Sequence, residues 1–417
     1  MLCQIDFENK RLLFENPVET LSLHNASEIT YGFAKIEEWT SRGLYVAGFL
    51  SYEAGYSFEP KLSHKEKFDF PLLSFGAYRE PMIEKRNPHP VFLKRKFQPF
   101  AFSQGEKESL IKNVSDPSTS GRGRRSTINS CPRLGEGFLG DNDFNISKEK
   151  YFDSIQKIFD EIVLGETYQI TFCVKKNFSY TGDSIELYNK LLDFQPVPYP
   201  AYISTDDFKI LSLSPEMFVK KSGSDILVKP MKGTLIRDGS LANNFIGKRW
   251  LHNDPKNRAE NVMITDLLRN DLGKICTGGS VKTTKLFEVA KYKTVYQMTS
   301  TVEGKLEDKN IDFYSLFKAI FPSGSVTGAP KIRAMEIIRD VEVEERKIYT
   351  GAIGYITPQR DLFFNIPIRT ILLQKDGDRG YTGEMGIGGG ITHYSTKEGE
   401  YDECLVKGRF LDMASST

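Results

Sequence analysis

The chain has 417 residues, of which 39% are hydrophobic and 27% are charged, so its composition is that of an ordinary globular protein. Lys and Arg number 56 against 55 Asp and Glu, which argues against a general nucleic-acid or membrane-surface binding protein. The five cysteines form no CxxC pair and no apolar run is long enough for a transmembrane helix. We therefore expect a cytoplasmic protein without a disulfide framework or a zinc knuckle.

The chain divides by pattern into three regions. Residues 1–102 are predicted to form short strands and turns, for example at Gly43 to Gly55 and Leu72 to Glu80, and are assigned to an N-terminal segment. Residues 103–146 are polar, rich in Gly, Ser, Arg and Pro, and lack apolar periodicity, which predicts a long loop or linker. The pattern changes sharply at Ser147, which opens a third region, residues 147–413.

Helices and strands are clearly patterned in this third region. Ser147 is a predicted N-cap, apolar residues recur at helical spacing from Tyr151 to Val163, and Gly165 ends the helix. Alternation in TYQITFCVKK predicts a strand. Further strands are predicted at AYIST, KILSLS, MFVKK, DILVKP, YTGAIGYIT, LFFNIPIRTILLQ and YTGEMGIGGG, and further helices near Ile185–Asp193, Arg258–Leu272, Phe313–Ile320, Pro330–Arg339 and Lys397–Leu411. Grouped strands without a βαβ rhythm predict an α+β protein with large antiparallel sheets.

The last predicted helix carries a candidate site. Glu400, Glu403 and Lys407 are spaced i, i+3 and i+7, so one helix face bears two carboxylates and an ammonium group. The glycines of the preceding GEMGIGGGITHYS would let the backbone approach a ligand closely. A solvated face with helix ion pairs remains the alternative. If Glu260, in RAENVMITDLLRNDLG, faces Glu403 across a cleft, the two carboxylates offer hard oxygen ligands for Mg²⁺.

Two further clusters could carry chemistry. The polar loop in FPSGSVTGAPK precedes a helix and would suit a substrate carboxylate, or it simply caps that helix. Glu216 and Lys232 lie sixteen residues apart across a predicted hairpin. A buried lysine can become a nucleophile or base, and a buried glutamate a general acid. A structural Lys–Glu pair is the alternative.

These motifs, taken together, resemble one family, the chorismate-utilising enzymes. The family includes the large components of anthranilate and aminodeoxychorismate synthases and the isochorismate and salicylate synthases. The resemblance covers about Ser147 to Leu411 and implies a large sandwich of two antiparallel β-sheets with helices packed outside, as in anthranilate synthase component I. Eight segments carry it, in the family's order: SPEMF, PMKGT, RAENVMITDLLRNDLG, STVEGKL, FPSGSVTGAPKIRAMEII, YTGAIGYI, IRTILL and GIGGG…EGEYDECLVKG.

The resemblance also implies roles for individual residues. Glu260 and Glu403 match Mg²⁺-binding carboxylates, with Glu400 beside them, and Glu216 matches the general acid. Gln297 lies where many relatives carry a substrate-contacting His, Asn257 replaces an acidic residue of some relatives, and the run from His393 to Thr396 replaces a more acidic one. The other residues matched to the surroundings of the substrate are Thr327, Gly328, Tyr349, Arg369, Gly388, Gly389, Gly390 and Lys407.

The PMKGT segment separates activities within the family. Aminodeoxychorismate synthases typically carry a lysine at the position of Lys232, and anthranilate synthases an alanine. The resemblance implies that Lys232 attacks C2 of chorismate and that ammonia then adds at C4, giving 4-amino-4-deoxychorismate for p-aminobenzoate and folate synthesis. Anthranilate synthase component I is the alternative. Gln169 occupies the place of the lysine base of isochorismate and salicylate synthases, which argues against those activities, and the retained acidic and basic groups argue against a non-catalytic relative.

Two companion activities are not recognisable in this sequence. We find no cysteine nucleophile elbow of the glutaminase kind and no lyase region after Leu411. The resemblance therefore implies that ammonia comes from a separate glutaminase subunit and that an aminodeoxychorismate lyase acts downstream.

Overall fold

The computed structural model describes residues 1–7, 10–85, 138–139, 144–236, 241–291, 295–377 and 380–415. Most of the predicted linker 103–146 thus lies outside the described residues. Within these ranges the helices are α1 (Ile29–Ser41), α2 (Lys148–Val163), α3 (Ser184–Phe194), α4 (Leu241–Asn253), α5 (Pro255–Gly273), α6 (Phe313–Ile320), α7 (Lys331–Val341) and α8 (Lys397–Ser415).

The strands, in chain order, are β1 (Leu2–Phe7), β2 (Lys10–Phe14), β3 (Glu19–Leu23), β4 (Tyr45–Leu50), β5 (Leu73–Tyr78), β6 (Met82–Lys85), β7 (Phe138–Leu139), β8 (Gln169–Tyr180), β9 (Tyr199–Ser204), β10 (Phe208–Ser214), β11 (Met217–Ser222), β12 (Asp225–Lys229), β13 (Met231–Ile236), β14 (Lys282–Lys291), β15 (Val295–Lys305), β16 (Gly328–Ala329), β17 (Ala352–Ile356), β18 (Leu362–Asn365), β19 (Thr370–Lys375) and β20 (Tyr381–Thr392).

The described strands form two large antiparallel sheets. The first has the order β16-β8-β20-β19-β10-β9-β1-β2-β6, with β7 on β8, and the second has the order β13-β15-β12-β11-β18-β17-β4-β5-β3, with β14 on β15. Strands from the N-terminal segment enter both sheets, because β1 pairs with β9 and β4 pairs with β17. The segment 1–102 is therefore interleaved with the region from 147 onwards. The predicted division into three regions stays a prediction.

Three apolar layers hold the sandwich together. The central layer joins side chains of the two sheets, such as Ile203 and Leu372 on the first and Phe49 and Phe363 on the second. A second layer packs α1, α5 and α6 on the outer face of the second sheet, and a third packs α2, α3, α7 and α8 on the first. The predicted α+β sandwich with helices outside is confirmed.

Side-chain caps explain where several helices begin. The Ser147 hydroxyl accepts from the Lys150 backbone N–H at 3.2 Å, as the sequence predicted for the start of α2. Asp254 and Pro255 provide the cap and first residue of α5, and the Asp254 carboxylate accepts from the Asn257 backbone N–H at 2.9 Å. Among the described residues, no helix is long and apolar enough to cross a membrane.

Three local predictions need correction. LFFNIPIRTILLQ forms two strands in different sheets, β18 and β19, because Pro367 lacks the N–H that a continuous ladder requires and Arg369 has a φ of 51°. Helix α1 lies where only strands and turns were expected, although Ile29, Phe33 and Ile36 have helical spacing. Helix α4 was not predicted either.

Candidate active site

The candidate site lies where β8 and β20 of the first sheet approach β13 of the second. Gly390 of β20 pairs with Thr171 of β8. A β-carbon added to Gly390 would collide with the Gln169 side-chain amide and would lie 3.7 Å from Lys232 Nζ. Lys232 Nζ in turn donates to the Ser325 carbonyl at 3.0 Å. The glycine strand, the lysine of PMKGT and the polar loop are therefore in contact, although 158 residues separate Lys232 from Gly390 in the chain.

Glu216 and Lys232 are the candidate acid and base of this site. The β11–β12 hairpin, in which Met217 pairs with Lys229, brings the chain back to Glu216. Glu216 is buried, and its Oε1 accepts from the Met231 backbone N–H at 3.3 Å. Burial raises the pKa of Glu216 to about 7, against the opposing effect of Lys232. Desolvation lowers the pKa of Lys232, against the opposing effect of the nearby carboxylates.

Three carboxylates line the other side of the site. Glu400 and Glu403 of α8 lie beside Gly389, whose added β-carbon would be 2.9 Å from Glu400 Oε2 and 3.9 Å from Glu403 Oε1. Burial raises the pKa of Glu260, on α5, and the charge of Glu403 raises it further, so these two carboxylates are within mutual electrostatic reach. Burial also raises the pKa of Glu400.

Lys407 neutralises part of this acidic cluster. Its Nζ lies 2.7 Å from Glu403 Oε1 and donates to the Gly388 carbonyl at 2.6 Å. Burial alone would raise the pKa of Glu403, but Lys407, Lys256 and Lys232 together hold that pKa below its usual value. The helix face predicted from i, i+3 and i+7 spacing thus carries a charge pair and a second carboxylate, that of Glu400.

The carboxylates suit a hard cation. No three His, Cys, Asp or Glu side chains in the described ranges converge closely enough to form a complete metal site. Magnesium, however, commonly uses only one or two carboxylates and fills its sphere with water and a substrate anion. Glu260 and Glu403, with Glu400 beside them, are therefore a donor set that fits Mg²⁺ together with an anionic ligand.

The remaining predicted residues surround the same strands. Thr327 is buried; its hydroxyl donates to the Ser323 carbonyl at 3.1 Å, and its carbonyl accepts from the Thr171 N–H at 2.7 Å. Gly328 begins β16 and pairs with Ile170 of β8. The Tyr349 ring packs directly on Gly386 of β20, leaving no space for a side chain there.

Arg369 differs from these residues. Its guanidinium makes no ion pair or hydrogen bond with any described residue, and its desolvation lowers its pKa. An unpaired, desolvated guanidinium is suited to a carboxylate ligand. The described contacts do not link its side chain to the other predicted residues.

Two buried glutamines add polar groups without partners. Gln297 of β15 lies opposite Thr234 of β13, and neither its Oε1 nor its Nε2 has a hydrogen-bond partner among the described residues. Gln169 of β8 is fully buried, and its amide finds no partner in the described part of the chain either. Unpaired buried amides are costly, which points to a polar ligand as their partner. Gln169 was not among the predicted site residues; the signal was its place on the polar face of the TYQIT strand.

Comparisons with known proteins agree with this geometry. The profile of the chorismate binding enzyme family matches residues 4–412. Aminodeoxychorismate synthase component 1 of Escherichia coli K12 is 35% identical over 367 residues, covering 86% of this chain and 74% of that protein. Anthranilate synthase component 1 of a Synechocystis strain is 37% identical over 273 residues, covering 64% of this chain and 53% of that protein.

The comparisons also show how much of each relative's length this chain covers. Against four other curated relatives, the chain spans only 28% to 57% of their length. The crystal structure of anthranilate synthase component I from Streptococcus pneumoniae has the same fold, with a TM-score of 0.75 and 24% identity over 97% of this chain and 92% of that one. The family profile spans nearly the whole chain, so the resemblance seen in the motifs is confirmed: this protein belongs to the family of chorismate binding enzymes.

Proposed function

We propose that the chain aminates chorismate at C4, giving 4-amino-4-deoxychorismate. The observation that carries the proposal is the electrostatic interaction of Lys232, whose pKa is lowered, with buried Glu216, whose pKa is raised to about 7. These shifts favour a protonated carboxyl on Glu216 and move Lys232 toward its neutral amine. An acid and a nucleophile are thereby available in one pocket.

The proposed reaction has two displacement steps. The neutral amine of Lys232 attacks C2, the ring double bonds shift, and the 4-hydroxyl takes the Glu216 proton and leaves as water. Ammonia then adds at C4, the double bonds shift back, and the lysine nitrogen departs from C2. Proton loss from the new amine balances the proton regained by Glu216, so chorismate and ammonia give aminodeoxychorismate and water.

The substrate's two carboxylates need cationic partners. We assign one to the guanidinium of Arg369, which has no partner among the described residues, and the other to the region of Glu260, Glu403 and Lys407. Mg²⁺ held by Glu260 and Glu403, with Glu400 nearby, would supply positive charge for a substrate carboxylate. Gly389 and Gly390 bring the β20 backbone close to these groups, since a β-carbon there would approach Glu400 and Gln169, whereas one at Gly388 would strike Phe172 and Cys173 of the paired strand.

Ammonia is proposed to come from a second protein. The E. coli relative is named component 1, which implies a companion component. We assign to that companion the glutaminase activity and to a downstream lyase the conversion to p-aminobenzoate.

Anthranilate synthesis is the second candidate, because a relative of that name is 37% identical to this chain. Water as the C2 nucleophile is disfavoured, since the Gln169 amide cannot act as a base.

The deciding experiment supplies purified protein with chorismate, Mg²⁺ and ammonium, and separates the products by chromatography and mass. Aminodeoxychorismate that becomes p-aminobenzoate only after a lyase is added supports the proposal. Anthranilate formed without the lyase would replace it with the second candidate.

A further inference from the structure

The Arg346 side chain has every one of its donors engaged. It is 2% exposed. Nε donates to Glu342 Oε2 at 2.9 Å, and Nη2 donates to Glu342 Oε1 and to the Thr171 carbonyl, both at 2.6 Å. Nη1 donates to the Val326 carbonyl at 2.8 Å and to the Thr350 hydroxyl at 3.2 Å. A guanidinium has five N–H groups, so its whole capacity is used.

Three of these acceptors belong to segments that line the candidate site. Val326 directly precedes Thr327 in the polar loop. Thr171 pairs with Gly390, and its N–H donates to the Thr327 carbonyl at 2.7 Å. Thr350 follows Tyr349 and has a φ of 61°, a conformation that a β-branched residue keeps only when its surroundings enforce it. Arg346 thus ties together three segments that are far apart in the chain.

The charge of Arg346 is balanced locally by Glu342, and the ion pair by itself adds little net stability to the fold. Glu342 forms a two-pronged pair with the guanidinium and also accepts from the Cys173 N–H at 2.9 Å. The guanidinium lies 4.3 Å from the centroid of the Tyr52 ring. The net stabilisation from a buried ion pair is small, because desolvation offsets the attraction. The planar fork, which reaches four acceptor groups in fixed directions, is what a lysine could not supply.

From this arrangement we propose that Arg346 is a positioning residue, which holds the polar loop, β8 and the Tyr349–Thr350 turn in the arrangement that turnover of the substrate requires. The proposal rests on the proposed function for the identity of the substrate. The positioning role of Arg346 is tested by the kcat of each variant relative to the wild type. Arg346 itself would touch neither substrate nor metal.

The test compares purified Arg346→Lys with a matched control, Arg333→Lys. Arg333 lies on α7 and also pairs with three carboxylates, those of Glu161, Glu166 and Glu336, but its side chain is 35% exposed and none of those partners is a predicted site residue. We expect Arg346→Lys to lower kcat about 100-fold, the effect of a misplacement of about 1 Å. Arg333→Lys should stay within twofold. A folded Arg346→Lys protein with kcat within twofold of wild type overturns the proposal.

A milder pair of variants decides the matter if Arg346→Lys does not fold. Thr350→Val keeps the side-chain shape but removes the hydroxyl, which accepts from Arg346 and donates to the Tyr349 carbonyl at 2.6 Å. Thr350→Ser keeps that hydroxyl. The proposal expects kcat to fall at least fivefold in Thr350→Val and to recover to within twofold of wild type in Thr350→Ser, with equal melting temperatures. Equal rates for the two variants overturn it, since a purely structural role would alter stability and not this rate contrast.

The two proposals can fail separately. All ratios are taken on whichever chorismate product the wild type forms, so anthranilate as that product overturns the proposed function and leaves the Arg346 comparison valid. If the wild type binds chorismate without turnover, calorimetric titration replaces kcat. A tenfold weaker chorismate affinity in Arg346→Lys then supports the positioning role, and an unchanged affinity overturns it.

Discussion

Gly390 and Lys232 lie on different sheets, yet a β-carbon at Gly390 would be 3.7 Å from Lys232 Nζ. The same β-carbon would strike the Gln169 amide. The glycine therefore defines the width of the site between the glutamine and the lysine.

Gly390→Ala should narrow the site without unfolding the protein. Overpacking costs about 1–3 kcal/mol, which corresponds to roughly 5- to 150-fold in kcat/KM if it falls on the substrate complex. Steady-state kinetics and thermal unfolding measure the two effects. Gly278→Ala is the control, because no atom lies within 4 Å of its added β-carbon. Equal kinetics for the two variants would remove Gly390 from the site.

Lys232→Ala should lower the rate of chorismate amination by about 10²–10⁴-fold, the usual contribution of a positioned proton-transfer or nucleophilic group. The covalent route makes a second expectation: mass spectrometry of the wild-type enzyme quenched with chorismate and no ammonia should find the adduct on Lys232. Lys229→Ala, on the preceding strand β12, is the control. Wild-type rates in Lys232→Ala would rule out the lysine mechanism.

Glu216 should give the reaction a pH dependence. Burial raises its pKa from 4.5 to about 7, so the free enzyme holds the proton below that pH and loses its general acid as the pH rises through it. We expect kcat/KM to fall about tenfold per unit above pH 7. Glu216→Gln should be slow and lack this descending limb, whereas Glu307→Gln should keep the wild-type profile. If kcat/KM still falls above pH 7 in Glu216→Gln, another group is responsible for that fall.

Glu403→Gln should weaken Mg²⁺ activation with little effect on folding. Loss of one carboxylate charge should cost at least as much as the loss of an outer-shell partner, about 10–100-fold in metal affinity. The Mg²⁺ dependence of turnover and calorimetric titration both report it. Asp402→Asn makes the same charge change on the adjacent, exposed residue and should leave the affinity unchanged. Near-normal activity of folded Glu403→Gln would refute the metal assignment.

Sequence periodicity predicted those parts of the site whose side chains lie on a single helix or hairpin. The α8 face with Glu400, Glu403 and Lys407 follows from helical spacing alone, and the hairpin before PMKGT follows from alternation. The contacts that complete the site join distant segments, as Arg346 does with Thr171, and periodicity carries no signal for such pairings. The motifs that resemble the family supplied the positions that periodicity could not.

Helix α1 was missed in the sequence analysis because one residue, Gly32, weakens its helical pattern. Gly32 lies in the middle of its apolar face, and glycine disfavours helices by about 1 kcal/mol. The structure gives a reason for it: a β-carbon there would lie 2.7 Å from Leu23 Cδ1. The residue that weakens the helical pattern is the one that lets the helix lie close to the sheet.

Because distant segments of the chain pair within each sheet, the topology affects how the chain folds during synthesis. Leu50 of β4 pairs with Ala352 of β17, and Ile170 of β8 pairs with Ile391 of β20. At about 5–20 residues per second, synthesis of the roughly 300 residues between β4 and β17 takes some 15–60 s. The nascent chain exposes unpaired strand edges during that interval. Slower translation would lengthen this period, and a chaperone that covers strand edges would protect the chain until the last strands are available.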